Sequence, residues 1–264
     1  SSYRHVSNLS FISKIMERVV YEQISAYLTA FSLLPSSQSG FRPGHSTETA
    51  LLKLHNDLIV SSDSGLSTLL LCLDYSSAFD TVDHSLLLDV LDKSFNITSD
   101  ALRWIKSYLS GRYSYVSIES SKSTPVSLSY GVPQGSILGP LLFILYTSEL
   151  PHIISSHSLN SQMYSDDSYV YSTFSNSSLE SVLNKIAACL QSIISWSSSM
   201  CLKLNPDKFE LIYFNKSSKS LNPLPLVLPP PSSLSISPSP LIRSLGFLFD
   251  SNLSLTPQIT SVTK

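Results

Sequence analysis

The sequence predicts an α+β fold, with helices interleaved with a buried strand and β-hairpins, on three observations. Residues 68–75 (Thr-Leu-Leu-Leu-Cys-Leu-Asp-Tyr) form a continuous apolar run ending in an acid. That is the pattern of a central strand buried on both faces, with a carboxylate at its exit. Residues 162–171 place apolar side chains on either side of Asp166-Asp167, which reads as a hairpin with the acid pair at its tip. Elsewhere, apolar residues recur at three- and four-residue steps, the helical period.

Taken in order, residues 11–31 predict an amphipathic helix whose apolar face is Ile12, Ile15, Met16, Val19, Val20, Ile24, Tyr27 and Leu28. A Ser/Gly/Pro loop with Arg42 and His45 covers 35–45. A second helix follows over 47–60, with Leu51, Leu52, Leu54 and Leu58 on one face. After the buried strand come helices over 84–95 and 99–110, and then two strands, 113–118 and 125–130, joined by a polar turn. Residues 136–150 are apolar and read as helical, with Pro140 near the start. A helix over 179–199 and a strand over 210–214 follow. Residues 217–240 are rich in Ser and Pro and predict a flexible surface loop, after which 241–253 form a strand or hairpin.

Composition narrows the function. A chain of 264 residues with 42% hydrophobic residues can bury a substantial core. Only 14% are charged and the net charge is −2, which argues against a broad basic nucleic-acid surface and leaves room only for a local one. Cys72, Cys189 and Cys201 are odd in number and not at metal-ligand spacing, so they read as free core thiols in a reducing compartment. The six His show no zinc-binding spacing. The longest apolar run, 137–146, is broken by Gly139 and Pro140 and falls far short of the roughly 20 residues that span a bilayer, so no membrane partner is expected. The opening residues are not a signal peptide and lack an initiator Met, so a fragment of a longer protein is expected.

Three carboxylates stand out: Asp74 at a strand end, and Asp166 and Asp167 at a turn. If their strands are neighbours, the acids converge on a site of hard oxygen ligands suited to Mg²⁺. Two such ions, about 3.5–4 Å apart, clamp the attacking and leaving oxygens of a phosphoryl transfer. Spacing alone leaves a plainer reading open, because Asp is common as a turn or cap residue.

The ordered motifs go further. Residues 73–84 (Leu-Asp-Tyr-Ser-Ser-Ala-Phe-Asp-Thr-Val-Asp-His) closely resemble the first catalytic motif of reverse transcriptases of non-LTR (LINE-type) retrotransposons. In the family's order, 130–140 (Tyr-Gly-Val-Pro-Gln-Gly-Ser-Ile-Leu-Gly-Pro) resembles the template- and nucleotide-contacting motif, and 164–167 (Tyr-Ser-Asp-Asp) resembles the Tyr-x-Asp-Asp box. Three further blocks agree: 38–47 (Gln-Ser-Gly-Phe-Arg-Pro-Gly-His-Ser-Thr) resembles the family's fingers motif, 202–208 (Leu-Lys-Leu-Asn-Pro-Asp-Lys) its later palm motif and 245–250 (Leu-Gly-Phe-Leu-Phe-Asp) its primer grip.

The resemblance implies a right-hand polymerase fold, with helical fingers (about 1–66 and 96–130), a palm on an antiparallel sheet (about 67–95 and 131–250) and the thumb largely absent. It implies that Asp74, Asp166 and Asp167, with the backbone carbonyl of Tyr75, bind two Mg²⁺ ions, for which Mn²⁺ can substitute. Phe79 stands where the family places an aromatic gate that excludes a ribose 2′-OH; a core Phe is the other reading. Gln134 and Gly135 would line the nucleotide and template pocket, or simply form a turn before a helix. Arg42 would contact phosphates through its fork of donors, unless it is only solvated. Lys208 stands near the leaving pyrophosphate as a general acid, or is a plain surface lysine. Asp80 and Asp83 read as structural, Asp83 at a helix start.

Four positions depart from the family pattern: Ser165, where Ala is usual, Ser168-Tyr169, where Thr-Gln is more frequent, and Phe209, where Thr is usual; none removes a ligand. The implied reaction is RNA-templated addition of dNTPs to a DNA primer 3′-OH. The implied partners are an RNA template, a DNA primer, an upstream endonuclease and a downstream thumb. The implied place is intracellular, in the nucleus. Two alternatives remain: a catalytically silent retroelement relic that at most binds nucleic acid, and a group II intron-type or other cellular reverse transcriptase.

Overall fold

The computed structural model describes residues 7–215, 223–230 and 232–263. In chain order its elements are α1 (Phe11–Ala30), α2 (Thr47–Asp63), β1 (Ser67–Leu73), α3 (His84–Phe95), α4 (Ser99–Leu109), β2 (Tyr113–Ser114), β3 (Ser117–Ile118), β4 (Ser121–Lys122), β5 (Val126–Ser127), α5 (Leu138–Tyr146), α6 (Leu150–Ser156), β6 (Asn160–Tyr164), β7 (Asp167–Phe174), α7 (Leu179–Ser199), β8 (Glu210–Phe214), β9 (Leu226–Val227), β10 (Ser235–Ile236), β11 (Leu241–Ser244), β12 (Phe247–Asp250) and α8 (Thr256–Val262). They pack as two compact units, one drawn from Ser1–Pro35, Ser77–Ser148 and Ser198–Lys203, the other from Ser36–Ser76, Glu149–Ser197 and Leu204–Lys264.

The second unit is built on a four-stranded sheet of order β6-β7-β1-β8, with every neighbouring pair antiparallel. All seven residues of β1 are buried, which explains its unbroken apolar run: an interior strand covered on both faces has no polar side to alternate with. Leu70 and Cys72 share one core cluster with Tyr169 and Tyr171 of β7, Ile212 and Phe214 of β8, and Leu54 and Leu58 of α2. Each fully buried Leu there contributes about 1.5–3 kcal/mol.

Helix α2 starts with a reciprocal Ser46–Thr49 capping box and is tied to the sheet by Tyr171 Oη, which donates to Asp57 Oδ2 at 2.6 Å. Its apolar face packs on the sheet, and Leu52, predicted on that face, is exposed. The β11–β12 hairpin turns through Leu245 and Gly246, both at positive φ, as a two-residue hairpin turn with right-handed strand twist requires. Its Ser244 Oγ donates to Tyr169 Oη at 2.7 Å. Trp196 on α7 is buried in this unit and donates through Nε1 to Glu149 Oε2 at 3.0 Å.

Within the stretch expected as a flexible loop, β9 and β10 pair antiparallel, and Leu226, Leu228 and Ile236 are buried. Leu and Ile among the Ser and Pro give this segment something to bury. The rest of that expectation, at 217–222 and 231, lies outside the described residues.

The first unit centres on α5, whose residues are buried on every side except Pro140. Helices α1 and α3 pack against it, and α4 packs on α3. Asp83 caps α3, its Oδ1 accepting from Ser85 N at 2.8 Å and Leu86 N at 2.9 Å, in the structural role expected of it. Trp104 on α4 stacks on Tyr108, with ring centroids 5.5 Å apart.

Of the predicted α1 face only the C-terminal half, Ile24 and Leu28, is buried; Ile12, Ile15, Met16 and Val19 are exposed. The predicted 113–130 hairpin is two short nested ladders, β2 with β5 and β3 with β4, with exposed side chains. The predicted 136–150 helix stops at Tyr146, and a separate α6 begins at Leu150 with Pro151 in its first turn. Cys72 and Cys189 are buried thiols as expected, but Cys201, past the end of α7, is exposed.

Candidate active site

Strand register brings two of the predicted acids together. The last pair of the β1–β7 ladder is Leu73 with Ser168, so one further step sets Asp74 level with Asp167. Directly opposed residues have Cβ atoms about 4.5–5.5 Å apart. Both acids line one cavity of about 370 Å³ with Tyr169, Asp207, Lys208, Glu210 and Arg243. Asp166 occupies the hairpin tip: Tyr164 pairs with Asp167, leaving Ser165 and Asp166 as the two turn residues.

The segment after α7 runs beside Asp74. Tyr75 bridges to Leu204, and Asn205 N donates to the Asp74 carbonyl at 2.9 Å. The Asp74 carboxylate receives Asn205 Nδ2 at 3.3 Å and lies 3.3 Å from Lys208 Nζ. The Lys208 side chain is 64% exposed, so this ion pair is worth only about 0–1 kcal/mol and yields readily to a stronger cation.

The local field is negative. Burial pushes the Cys72 thiol up, and the carboxylates of Glu210 and Asp167 push it further. Burial likewise raises the Tyr169 phenol, with Asp167 adding to it. Glu210 is itself raised by burial.

This arrangement suits a divalent cation between Asp74 and Asp167. The donors are hard carboxylate oxygens, and two like charges facing across a ladder are destabilising unless a cation lies between them. The ammonium of Lys208 supplies positive charge at Asp74 here. Among the described residues, no group of three or more His, Cys, Asp or Glu is gathered closely enough to hold a metal. Asp166 stands on the turn next to Asp167.

In the first unit, the Phe79 and Gln134 motifs zip together. Val132 N donates to Phe79 O and Gly131 N to Val82 O, both at 2.8 Å. His84 Nε2 lies 2.8 Å from Gly131 O; since a carbonyl only accepts, that nitrogen carries the proton. Gln134 Nε2 donates to Asp80 Oδ1 at 3.0 Å, which gives Asp80 the structural role expected of it. Phe79 is half-buried and stacks on buried Phe143, with centroids 4.5 Å apart, so one ring face is core while part of it remains accessible. Gly135 is exposed, and Arg42, in the other unit, is half-buried.

Sequence reasoning missed Glu17, which is 1% exposed on α1. Its Oε2 accepts from Ile137 N at 2.8 Å and Leu138 N at 3.2 Å, capping α5 directly after the Gln134-Gly135 turn. The signal was present: Glu17 shares the buried stripe of Ile24 and Leu28, and a lone acid on such a stripe needs donors. Burial also pushes the neighbouring Tyr108 phenol up to about 12, with Ser136 acting in the opposite sense.

Residues 1–247 match the model of the family described as reverse transcriptase (RNA-dependent DNA polymerase). The chain belongs to this family. This reverse transcriptase domain is 30% identical, over 100% of its length, to a probable RNA-directed DNA polymerase from transposon BS of Drosophila melanogaster, and covers 29% of it. It is also 30% identical over 99% of its length to a probable RNA-directed DNA polymerase from transposon X-element of the same organism, covering 28% of that protein. The chain therefore spans less than a third of these relatives, whose transposon origin agrees with the non-LTR resemblance of the motifs.

Among solved structures it is similar to apo telomerase of Candida tropicalis truncated from the C-terminal domain. The TM-score is 0.62 at 14% identity, over 92% of this chain and 44% of that one. The α+β polymerase fold expected from the motifs is the fold this reverse transcriptase domain has. No helix among the described residues is long and apolar enough to cross a membrane.

Proposed function

We propose that the chain is the catalytic domain of an RNA-directed DNA polymerase of a non-LTR retrotransposon, adding dNTPs to a DNA primer 3′-OH on an RNA template. The observation that carries the reading is the register-opposed pair Asp74 and Asp167, with Asp166 on the adjoining turn, in a chain of the reverse transcriptase family. Asp74, Asp166, Asp167 and the Tyr75 carbonyl would hold two Mg²⁺ ions. When bound, these supply activation of the 3′-OH and charge neutralisation on the leaving pyrophosphate.

The chain's own groups then have separate tasks. Lys208, displaced from Asp74, would offer its ammonium to the pyrophosphate as charge or proton donor. Phe79, braced on Phe143, would present its accessible edge to the sugar and exclude a 2′-OH. Gln134 and the exposed backbone of Gly135 would contact nucleotide and template, and Arg42 would contact phosphates. The rest of the reading is an endonuclease and a thumb in the longer protein, with target-primed work in the nucleus.

The test is primer extension on an RNA template with dNTPs and Mg²⁺, comparing the full-length protein with its Asp166→Asn/Asp167→Asn double variant. Extension by the first alone is the expected result. No extension by either, from folded protein that still binds primer-template, would establish the silent relic in its place.

A further inference from the structure

We infer that Gln38 is a positioning residue for the acid-bearing turn, acting through the Ser165 peptide on Asp166 and Asp167; the inference rests on the function proposed above. Gln38 is 3% exposed. Its Oε1 accepts from Gly40 N at 2.7 Å and from Ser165 N at 3.1 Å, while Nε2 faces the Ser165 carbonyl at 3.5 Å. Two convergent backbone donors fix which end of the amide is oxygen, so the side chain meets the Ser165 peptide with acceptor against donor and donor against acceptor.

Ser165 needs such a clamp. Its φ is 60°, a left-handed conformation that costs a residue with a Cβ about 1–2 kcal/mol. It also occupies half of a two-residue turn whose other half is Asp166. The loop bearing Gln38 is laid along β6: Ser39 N donates to Met163 O at 2.9 Å, Met163 N to Ser37 O at 2.8 Å, and Gln162 Nε2 to Ser39 Oγ at 2.8 Å. At Gly40 a Cβ would come within 2.2 Å of Ser165 N, so only glycine lets the loop reach the turn. Loop and turn are thus fitted to each other at the residue preceding the two acids. A 1 Å error in placing a reacting group costs about 100-fold in rate.

The test uses the full-length protein, with Gln38→Met to remove the polar atoms and Gln38→Met/Ser165→Gly to relieve the left-handed strain the clamp restrains. Mn²⁺ binding is read by electron paramagnetic resonance without nucleotide or nucleic acid, alongside Mg²⁺ titrations of primer extension. The expected result is at least about a 10-fold weaker metal affinity and a kcat fall approaching 100-fold in Gln38→Met, with KM for primer-template unchanged and substantial recovery in the double variant. Wild-type metal affinity and kcat in Gln38→Met, or equal defects in both variants, overturn the inference and make Gln38 a packing residue. A wild-type protein that neither binds Mn²⁺ nor extends primers overturns the proposed function itself, which separates the two failures.

Discussion

Replacing Glu17 with Ala should destabilise the α1–α5 packing by about 1–3 kcal/mol. The carboxylate is almost fully buried and accepts from two backbone N–H groups at the start of α5, Ile137 at 2.8 Å and Leu138 at 3.2 Å. Loss of a helix cap costs about 0.5–2 kcal/mol. Leaving a buried donor without a partner costs about 1–3 kcal/mol. The two effects describe overlapping losses, so their sum is not taken. Glu17→Gln keeps one acceptor oxygen and loses the charge assistance, for a cost nearer 1 kcal/mol. Urea denaturation followed by helical circular dichroism gives the total, and hydrogen exchange at Ile137 and Leu138 locates it. A Glu17→Ala protein within about 0.5 kcal/mol of wild type, the scatter of ordinary surface substitutions, with both amides still protected, would refute the capping argument.

Three further outcomes are expected. Phe79→Val should raise ribonucleotide incorporation relative to deoxyribonucleotide by about 10–100-fold in single-nucleotide extension, since a smaller side chain leaves room for the 2′-OH; unchanged discrimination would make Phe79 only a partner of Phe143. Gly131→Ala should lower stability by more than about 1 kcal/mol in denaturant titration, because φ is 86° and a Cβ would lie 2.9 Å from Asp80 O, so a neutral result would contradict the zipped geometry. Asp250 is pushed up by burial, but the backbone donors of Ser254, Leu255 and Asn252 outweigh this and hold its carboxyl below the ordinary range. Its folded value lies below its unfolded one, so its stabilisation is complete above about pH 4 and fades as pH falls through the folded value. The stability gap between wild type and Asp250→Asn should therefore close on acidification, and a pH-independent gap would show those donors to be unimportant.

What was legible in the sequence follows from what periodicity can report. Strand β1 and helix α7 were readable because a strand covered on both faces and a long amphipathic helix write their burial directly into residue order. The Asp74–Asp167 pairing needed only the assumption that their strands are neighbours, which the register fulfils. Illegible were groups whose partners are remote in sequence: Gln38, which meets Ser165 127 residues away, and Glu17, which meets Ile137 across 120. Leu226, Leu228 and Ile236 were masked by the Ser and Pro around them, although a few apolar side chains suffice to pin a short ladder.

The two tryptophans have an optical consequence. Trp104, stacked on Tyr108, and Trp196, buried against Glu149, are the chain's whole complement of indoles, and each belongs to a different compact unit. Each unit therefore carries its own intrinsic fluorophore: Trp104→Phe leaves emission from the sheet unit alone, and Trp196→Phe leaves that of the helical unit. Whether the two melt together or in sequence can then be read as one wavelength shift or two, with no label attached.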